Sequence, residues 1–563
     1  MTGFGRVASL LLALLIAPSA AMAQQQTFIE QVDLEPIESL AVQVDGRLKS
    51  FGSHANTLMS VVSGSRSINE QSPSFTYMDM MLRPNAYEDA DIVYVKNKLV
   101  RNKIADALLM EDPTLGDRIE AFRETGLVSP MLLNRPSAQE LVEVLSRDLI
   151  RTASSVDAIN GALIVREPAF LLDRMRIVPP AVEGETAPWQ SLSGIALMDA
   201  SAYADHDPSD IAAITETWMG LVEAWNTHDP DAVNQSMATL ATQLQELSPD
   251  VYPETGRLSW ESWYFNQKSM TWVWLIYMLS VILLLLGMVY RWPPARWAGL
   301  GVFLIAFGLH TFSILLRWYI ADRWPNSNMF EAVTTAAWFG GCLAIVMELI
   351  ARRTAMHGIF ALGSAMASMV ALMAARFLPL YLDPNISNKM PVLHDIWLYI
   401  HTNVIIFSYC LIFMAAVSAG LYLLRRLFGG SADYVRAGGA GALILRGTTS
   451  TPDALADTDN ASLGQVLDGV TMLLMELSFV LLWAGIAMGA IWADHSWGRP
   501  WGWDPKEVFA LNTFIIFALL IHVRLKVRDK GLWTAWLALL GCLVMLFNWI
   551  VINFVITGLH SYA

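Results

Sequence analysis

Eight apolar runs dominate the second half of the chain and decide what it can fold into. They lie at about residues 271–290, 298–318, 330–350, 357–377, 400–424, 469–491, 508–527 and 532–556. Crossing ~30 Å of hydrocarbon at 1.5 Å per residue takes about 20 residues of helix, and each run approaches or exceeds that length. Inside lipid the backbone must satisfy its own polar groups, so the runs predict a mainly α fold. Residues 266–563 should form a polytopic membrane helix bundle of about eight spans. The chain as a whole, 563 residues, is 54% apolar and 16% charged, unlike an ordinary soluble protein.

The first half reads differently. Residues 24–265 hold 17 Lys and Arg against 36 Asp and Glu, whereas the rest of the chain holds 20 against 15. Neither half has the basic patch of a nucleic-acid binder. Amphipathic spacing (Leu141, Val142, Val144, Leu145, Leu149, Ile150) and loop-like Pro and Gly clusters predict a mainly helical extracytoplasmic domain with no spanning segment. Its histidines His54, His206 and His228 read as solvated surface. The stretch GRLKSFGSHANTLM from Gly46 is distinctive but suggests no chemistry. Ahead of it, residues 1–23 resemble a secretory signal: Arg6, an apolar run over 8–16, then Ala21-Met22-Ala23.

An exported first domain fixes the sidedness of every span. Loops then expected in the cytoplasm hold twelve Arg and Lys against six outside, as the positive-inside rule requires. The C-terminus falls outside, and residues 428–468, rich in Gly, Ala, Ser, Thr and Asp, read as a flexible cytoplasmic loop. The three cysteines, Cys342, Cys410 and Cys542, stand singly in apolar runs, so any thiol chemistry comes from a partner.

Between the sixth and seventh runs, residues 492–507 read WADHSWGRPWGWDPKE. Trp492, Trp497, Trp501 and Trp503 suit an interfacial aromatic belt. A belt, however, needs neither Gly498 and Gly502, which let a backbone lie close to a flat object, nor the Asp504-Pro505-Lys506-Glu507 segment behind them. The alternative is a shelf that stacks a planar ligand and offers Arg499 and Lys506 to its anionic edge. His401, where the fifth span meets the outer face, and His560, just past the eighth, lie at the level of that shelf. Two imidazoles so placed suit axial ligation of an iron porphyrin, although a lone His at a membrane edge is more often an amphipathic anchor. His394 and His495 are outer-face competitors.

His522 lies within the seventh span, about 22 Å along the helix from Glu507, and ionisable residues in hydrocarbon are functional by default. His310, in the second span, is nominally about 10 Å higher. It reads either as a partner for His522 or as a core histidine bonded to a neighbouring helix. His357, at the cytoplasmic end of the fourth span, competes for that partnership.

The segment WADHSWGRPWGWDPKEVFALNTFIIFALLIHVRL resembles the tryptophan-rich WWD signature of haem-handling membrane proteins, specifically the cytochrome c biogenesis CcsA (ResC-like) family. IWLYIHTNVIIFSY, the RWYIADRWPNSNMFEAV loop and the terminal GLHSY fit the same pattern, so the resemblance covers roughly residues 270–563. It implies a subunit of a holocytochrome c synthase (cytochrome c haem lyase) in the inner membrane of a bacterium. Such a subunit carries haem b across the membrane and presents it for thioether attachment to a CXXCH apocytochrome c. By motif, His401 and His560 would ligate external haem. Trp497, Trp501, Trp503 and Asp504 would form its platform. His522 would be one ligand of a membrane-embedded site, with His310 as its candidate partner.

The implied partners are a ResB/CcsB-like membrane protein, apocytochrome c and a thiol-reducing system. In relatives joined to a ResB-like half, the second membrane histidine belongs to that half. Pro500 stands where an aromatic is common in the family, and Val508-Phe509 where a Thr-Trp pair is. A haem exporter without attachment activity and a bis-haem electron-transfer protein are the alternatives.

Overall fold

The computed structural model describes residues 28–64, 68, 70–149, 151–181, 188–197, 203–379, 381–387, 395–435, 462–552 and 556. The signal segment, most of the expected 428–468 loop, His394 and His560 lie outside the described residues. Two compact units form, divided after Gln267.

The first unit is mainly helical, with one hairpin and one further pair of short antiparallel strands, Val93–Tyr94 with Leu127–Val128, among its described residues. GRLKSFGSHANTLM now has a job. Asp45 and Gly46, at φ 50° and 76°, make the two-residue turn that joins β1 (Ala41–Val44) to β2 (Arg47–Ser50), since a tight hairpin turn requires positive φ. Ser50 then caps the helix Phe51–Ser63 by accepting the Ser53 N–H. Glu261 ties the corner to distant sequence by accepting the Ser50 N–H (3.2 Å) and pairing with Arg47 (2.9 Å).

The histidines of this unit correct the surface reading. His54 and His206 are only 3% and 9% exposed, and the His206 Nε2 meets the Pro179 carbonyl at 3.0 Å. Burial, reinforced by the charges of Lys49 and Arg174, pushes the His54 imidazole down to about 3. His228, half-buried, ends the helix Pro208–Thr227 in the left-handed conformation, packs on Phe28 and bonds Arg83. Composition cannot reveal such contacts, because partners 145 residues apart make them.

Among its described residues the second unit contains eight helices long and apolar enough to cross a membrane, as in a multi-pass membrane protein. They are α1 (Trp274–Val289, prolonged at its start by the turn Lys268–Val273), α2 (Pro293–Ala321), α3 (Met329–Ala351) and α4 (Ile359–Phe377). α5 (Ile396–Leu427), α6 (Leu463–Trp497), α7 (Pro505–Lys526) and α8 (Lys530–Phe547) complete the set.

Most boundaries fall close to the apolar runs; α6 does not. With 35 residues it is about 52 Å long, and it reaches six residues beyond its run at either end. A capping box of Ser462 and Gln465 starts it, and Gly498, at φ 68°, stops it. The first six residues of the expected 492–507 loop are therefore helix.

Opposite ends of the bundle are held by buried ion pairs. Arg317 and Glu331, 1% and 0% exposed, meet at 2.9 Å, and Arg323 adds a second cation to the same carboxylate at 2.9 Å. Arg317 also donates to the carbonyls of Pro384 and Asn385, so one guanidinium joins α2, α3 and the segment beyond α4. At the other end Arg524 of α7 clasps Asp468 of α6 through contacts of 2.7 and 2.6 Å. Asp468 in turn accepts the Val435 N–H at 2.7 Å. Both margins of the expected 428–468 loop are thus ordered. Burying an ion pair is tolerable only when the remaining polar positions are largely satisfied; both clusters take backbone groups, although the Arg524 Nε has no hydrogen-bond partner among the described residues.

Candidate functional site

α5 and α6 pack closely because α6 carries Gly485 and Gly489 four residues apart. A β-carbon on Gly485 would lie 2.4 Å from Ile405, and one on Gly489 would lie 2.6 Å from Cε1 of His401. The His401 ring therefore rests against bare α6 backbone. Its Nδ1 lies 2.7 Å from the Gly485 carbonyl, and because a carbonyl only accepts, that nitrogen carries the proton. In the neutral ring the lone pair is then on Nε2. This is how proteins commonly prepare an imidazole to bind a metal.

His401 lines a cavity whose free space, about 250 Å³, far exceeds the ~10–15 Å³ that one water needs. Trp492 and Gly489 of α6, Trp501 of the following loop, and Lys506 and Glu507 of α7 line it too. Residues 326–329 form a further wall, with Asn548 and Trp549 beside them. There α8 widens into the π turn Asn548–Ile552, and Asn548 donates to the Tyr409 hydroxyl at 2.8 Å. Flat apolar surface, one imidazole and one ammonium, with the Glu507 carboxylate occupied by the Gly502 and Asp504 N–H groups, suit a planar ligand with an anionic edge.

The residues expected from sequence divide. His401, Trp501 and Lys506 line this cavity. Trp497 reaches it indirectly, packing edge-on against buried Trp492 at 4.8 Å. Trp503 is 73% exposed and meets Trp501 edge-on at 6.0 Å. Arg499 is exposed on the loop and is not part of the lining.

Asp504 and both glycines of the expected shelf, Gly498 and Gly502, have local structural work. Asp504 caps α7 by accepting the Lys506 N–H, while Glu507 accepts the N–H groups of Gly502 and Asp504 at 2.9 and 3.1 Å. That box grips the turn around Trp503, whose φ of 56° is costly for an aromatic residue. Gly498 supplies the left-handed stop of α6.

His310 and His522 are not brought together. His310 is 1% exposed, with Nδ1 3.3 Å from the Tyr277 hydroxyl of α1. His522 lies on an exposed face of α7, its Nδ1 donating to the Ala518 carbonyl at 2.8 Å. His357 is engaged by Glu348 at 2.8 Å, and Glu348 also accepts the N–H groups of Gly358 and Ala361. His495 is exposed.

The RWYIADRWPNSNMFEAV loop, known from sequence only as part of the family pattern, supplies a wall of the cavity that sequence reasoning did not assign. The loop before α3 is tied to the two residues that follow His401: the Trp324 indole donates to Asn403 (3.0 Å) and Asn326 to Thr402 (3.4 Å). Among the described residues no three or more His, Cys, Asp and Glu side chains converge to hold a metal ion. A metal on His401 would bring most of its ligands with it, as an iron porphyrin does.

Fold and site together define a multi-pass membrane protein with an aromatic, histidine-bearing cavity at one end of its bundle. Residues 326–560, which span every wall of that cavity, match the family described as Cytochrome C assembly protein. The cytochrome c biogenesis protein CcsA of Porphyra purpurea is 30% identical over 268 residues, 44% of this chain and 81% of that relative. CcsA of Prochlorococcus marinus (strain MIT 9301) is 30% identical over 257 residues, 45% of this chain and 81% of that relative. Protein NrfI of Wolinella succinogenes is 32% identical over 264 residues, 46% of this chain but 25% of that relative. This chain belongs to the CcsA family of cytochrome c biogenesis proteins.

Proposed function

We propose that the protein acts in cytochrome c maturation as the haem-presenting subunit of a holocytochrome c synthase. One observation carries this reading: His401 in a cavity with Trp492, Trp501 and Lys506, its Nδ1 proton committed to Gly485, which makes Nε2 the nitrogen that would ligate iron. Haem b is the substrate. The indoles take its face, Lys506 takes a propionate, and His560, the expected second axial ligand, completes the grip.

Adding a thiol across a vinyl group forms one C–S bond and places the thiol proton on the neighbouring carbon, so the step itself needs no oxidant or reductant. What it needs is position. The chain therefore acts as a template that holds the vinyl edge toward the two thiols of an apocytochrome CXXCH segment, kept reduced by a separate thiol-reducing system. The histidine of that segment then displaces one external ligand and loosens the product.

The cavity end of the bundle faces the periplasm of a bacterium, with the N-terminal domain and the C-terminus on the same side. His522 belongs to a haem route through the membrane. It shares an exposed stripe of α7 with Asn512, and Glu476 is exposed in neighbouring α6. Polar groups facing lipid are costly, which favours cover by a ResB/CcsB-like partner that supplies the facing imidazole.

The test is co-expression of this chain and a ResB/CcsB-like partner with an apocytochrome c in cells lacking other maturation machinery. Covalent haem on the reporter is the expected result. Haem bound to this chain without covalent product would make it a conduit or an electron carrier instead.

A further inference from the structure

The exposed sides of α6 and α7 border a common groove. Phe479 of α6 and Phe514 of α7 stack at 4.7 Å with their planes 14° apart, so they mark where the two helices meet. The helices are antiparallel, since Asp468 near the start of α6 holds Arg524 near the end of α7. At about 100° per residue, Glu476, Val480 and Trp483 lie roughly 40–100° round α6 from Phe479. Asn512, Leu519 and His522 lie roughly 80–160° round α7 from Phe514, in the same sense. In antiparallel helices, offsets of equal sign fall on the same side of the pair. All six residues are exposed, so the two stripes flank one groove with the phenylalanine pair as its floor.

The polar groups are spread along the groove. Counted from the Asp468–Arg524 clasp at about 1.5 Å per residue, His522 stands about 3 Å up, Glu476 about 12 Å and Asn512 about 18 Å. Among the described residues Glu476 has no cation within ion-pair distance, and Arg524 is committed to Asp468. A short glutamate stem at that depth cannot snorkel to a membrane surface. An ionised carboxylate facing hydrocarbon is unfavourable, so it calls for a cation brought from outside this chain. Haem does not answer that need, because its propionates add anions. A lipid amine stays at headgroup level. A second membrane helix can answer it.

We propose that the α6–α7 groove seats a membrane helix of the partner subunit that carries a Lys or Arg opposite Glu476. This rests on the reading that a partner supplies the imidazole facing His522, and it deepens that reading. One helix presents both groups on one face when they stand seven residues, about 10 Å, apart. The ion pair then fixes the depth of the partner helix, and with it the level at which the two imidazoles meet.

The test uses the full-length chain co-expressed with a ResB/CcsB-like protein, with a photo-crosslinking residue in place of Val480, one turn from Glu476. The crosslink is expected to reach a membrane helix of the partner. Glu476→Gln and Glu476→Leu should each lower recovery of the partner on the order of tenfold or more, and Glu476→Asp should retain it. Without the partner, Glu476→Leu should melt at or above the wild-type temperature, since it removes a polar group from a lipid-facing surface; a carboxylate needed inside this chain would lower it. Glu476→Lys combined with an acidic substitution at the crosslinked basic residue should restore recovery.

Crosslinks from position 480 to lipid alone, or to a second copy of this chain, would overturn the groove, as would full recovery of the partner by Glu476→Gln. In those cases covalent haem on a reporter would leave the maturation function standing. Wild-type chain that recovered no partner at all would remove the cover for His522 and the groove with it.

Discussion

Gly489→Ala is the sharpest perturbation of the site, because it adds one carbon where His401 meets α6. The new β-carbon would lie 2.6 Å from Cε1 and 2.8 Å from Nδ1 of the imidazole, against ordinary contact from 3.4 Å. The ring must therefore retreat by about 0.8 Å, or α5 and α6 must part by as much, at about 1–3 kcal/mol for overpacking. Either movement stretches the 2.7 Å bond from Nδ1 to Gly485 that fixes the proton on that nitrogen. A displacement approaching 1 Å at a reacting centre can cost up to ~10²-fold in rate, so attachment to a reporter cytochrome should fall at least tenfold. The assay is covalent haem on the reporter, with protein abundance measured alongside. Gly308→Ala serves as the control, since no atom lies within 4 Å of its added carbon. If Gly489→Ala supports wild-type attachment while His401→Ala abolishes it, the α6 backbone does not position the imidazole and the reasoning fails.

His401→Ala should abolish attachment yet leave much of the haem bound within the membrane, whereas His522→Ala should deplete haem overall; total haem per purified protein separates the two. Asp504→Asn keeps a good N-cap and should retain haem, whereas Asp504→Ala should destabilise α7 by about 1 kcal/mol; equal haem loss in both would mean the carboxylate touches the ligand. His54 titrates near 6.5 when unfolded and at about 3 when folded, so between those values the unfolded state binds more protons. The first unit should therefore lose about 1.4 kcal/mol per pH unit as pH falls below 6.5, read as faster hydrogen exchange in the helix Phe51–Ser63, and His54→Leu should remove that dependence.

The spans were legible because lipid imposes one rule on long apolar runs, and counting residues applies it. Their ends were less so: α6 continues through polar residues to Trp497, and only the Gly498 stop marks its limit. Two local signals went unread. Gly485 and Gly489 in GIAMG announce a close helix contact, and Asp504-Pro505-Lys506-Glu507 is a capping box with proline at its first helical position. The remainder was out of reach, because it depends on distant partners. His401 takes its proton acceptor 84 residues away and His310 finds Tyr277 33 residues away, so equal spacing along the chain gives these histidines unequal surroundings.

Beyond Pro505, α7 contains neither glycine nor proline, and it is fastened at both ends, to Asp468 through Arg524 and to the tryptophan turn through Glu507. Such a rod has no joint at which to bend. A push on the turn carrying His522 is delivered whole, some 25 Å along the axis, to the aromatic shelf. The Arg524 clasp and the tryptophan turn are thereby the two ends of one unjointed element, and neither can tilt without the other.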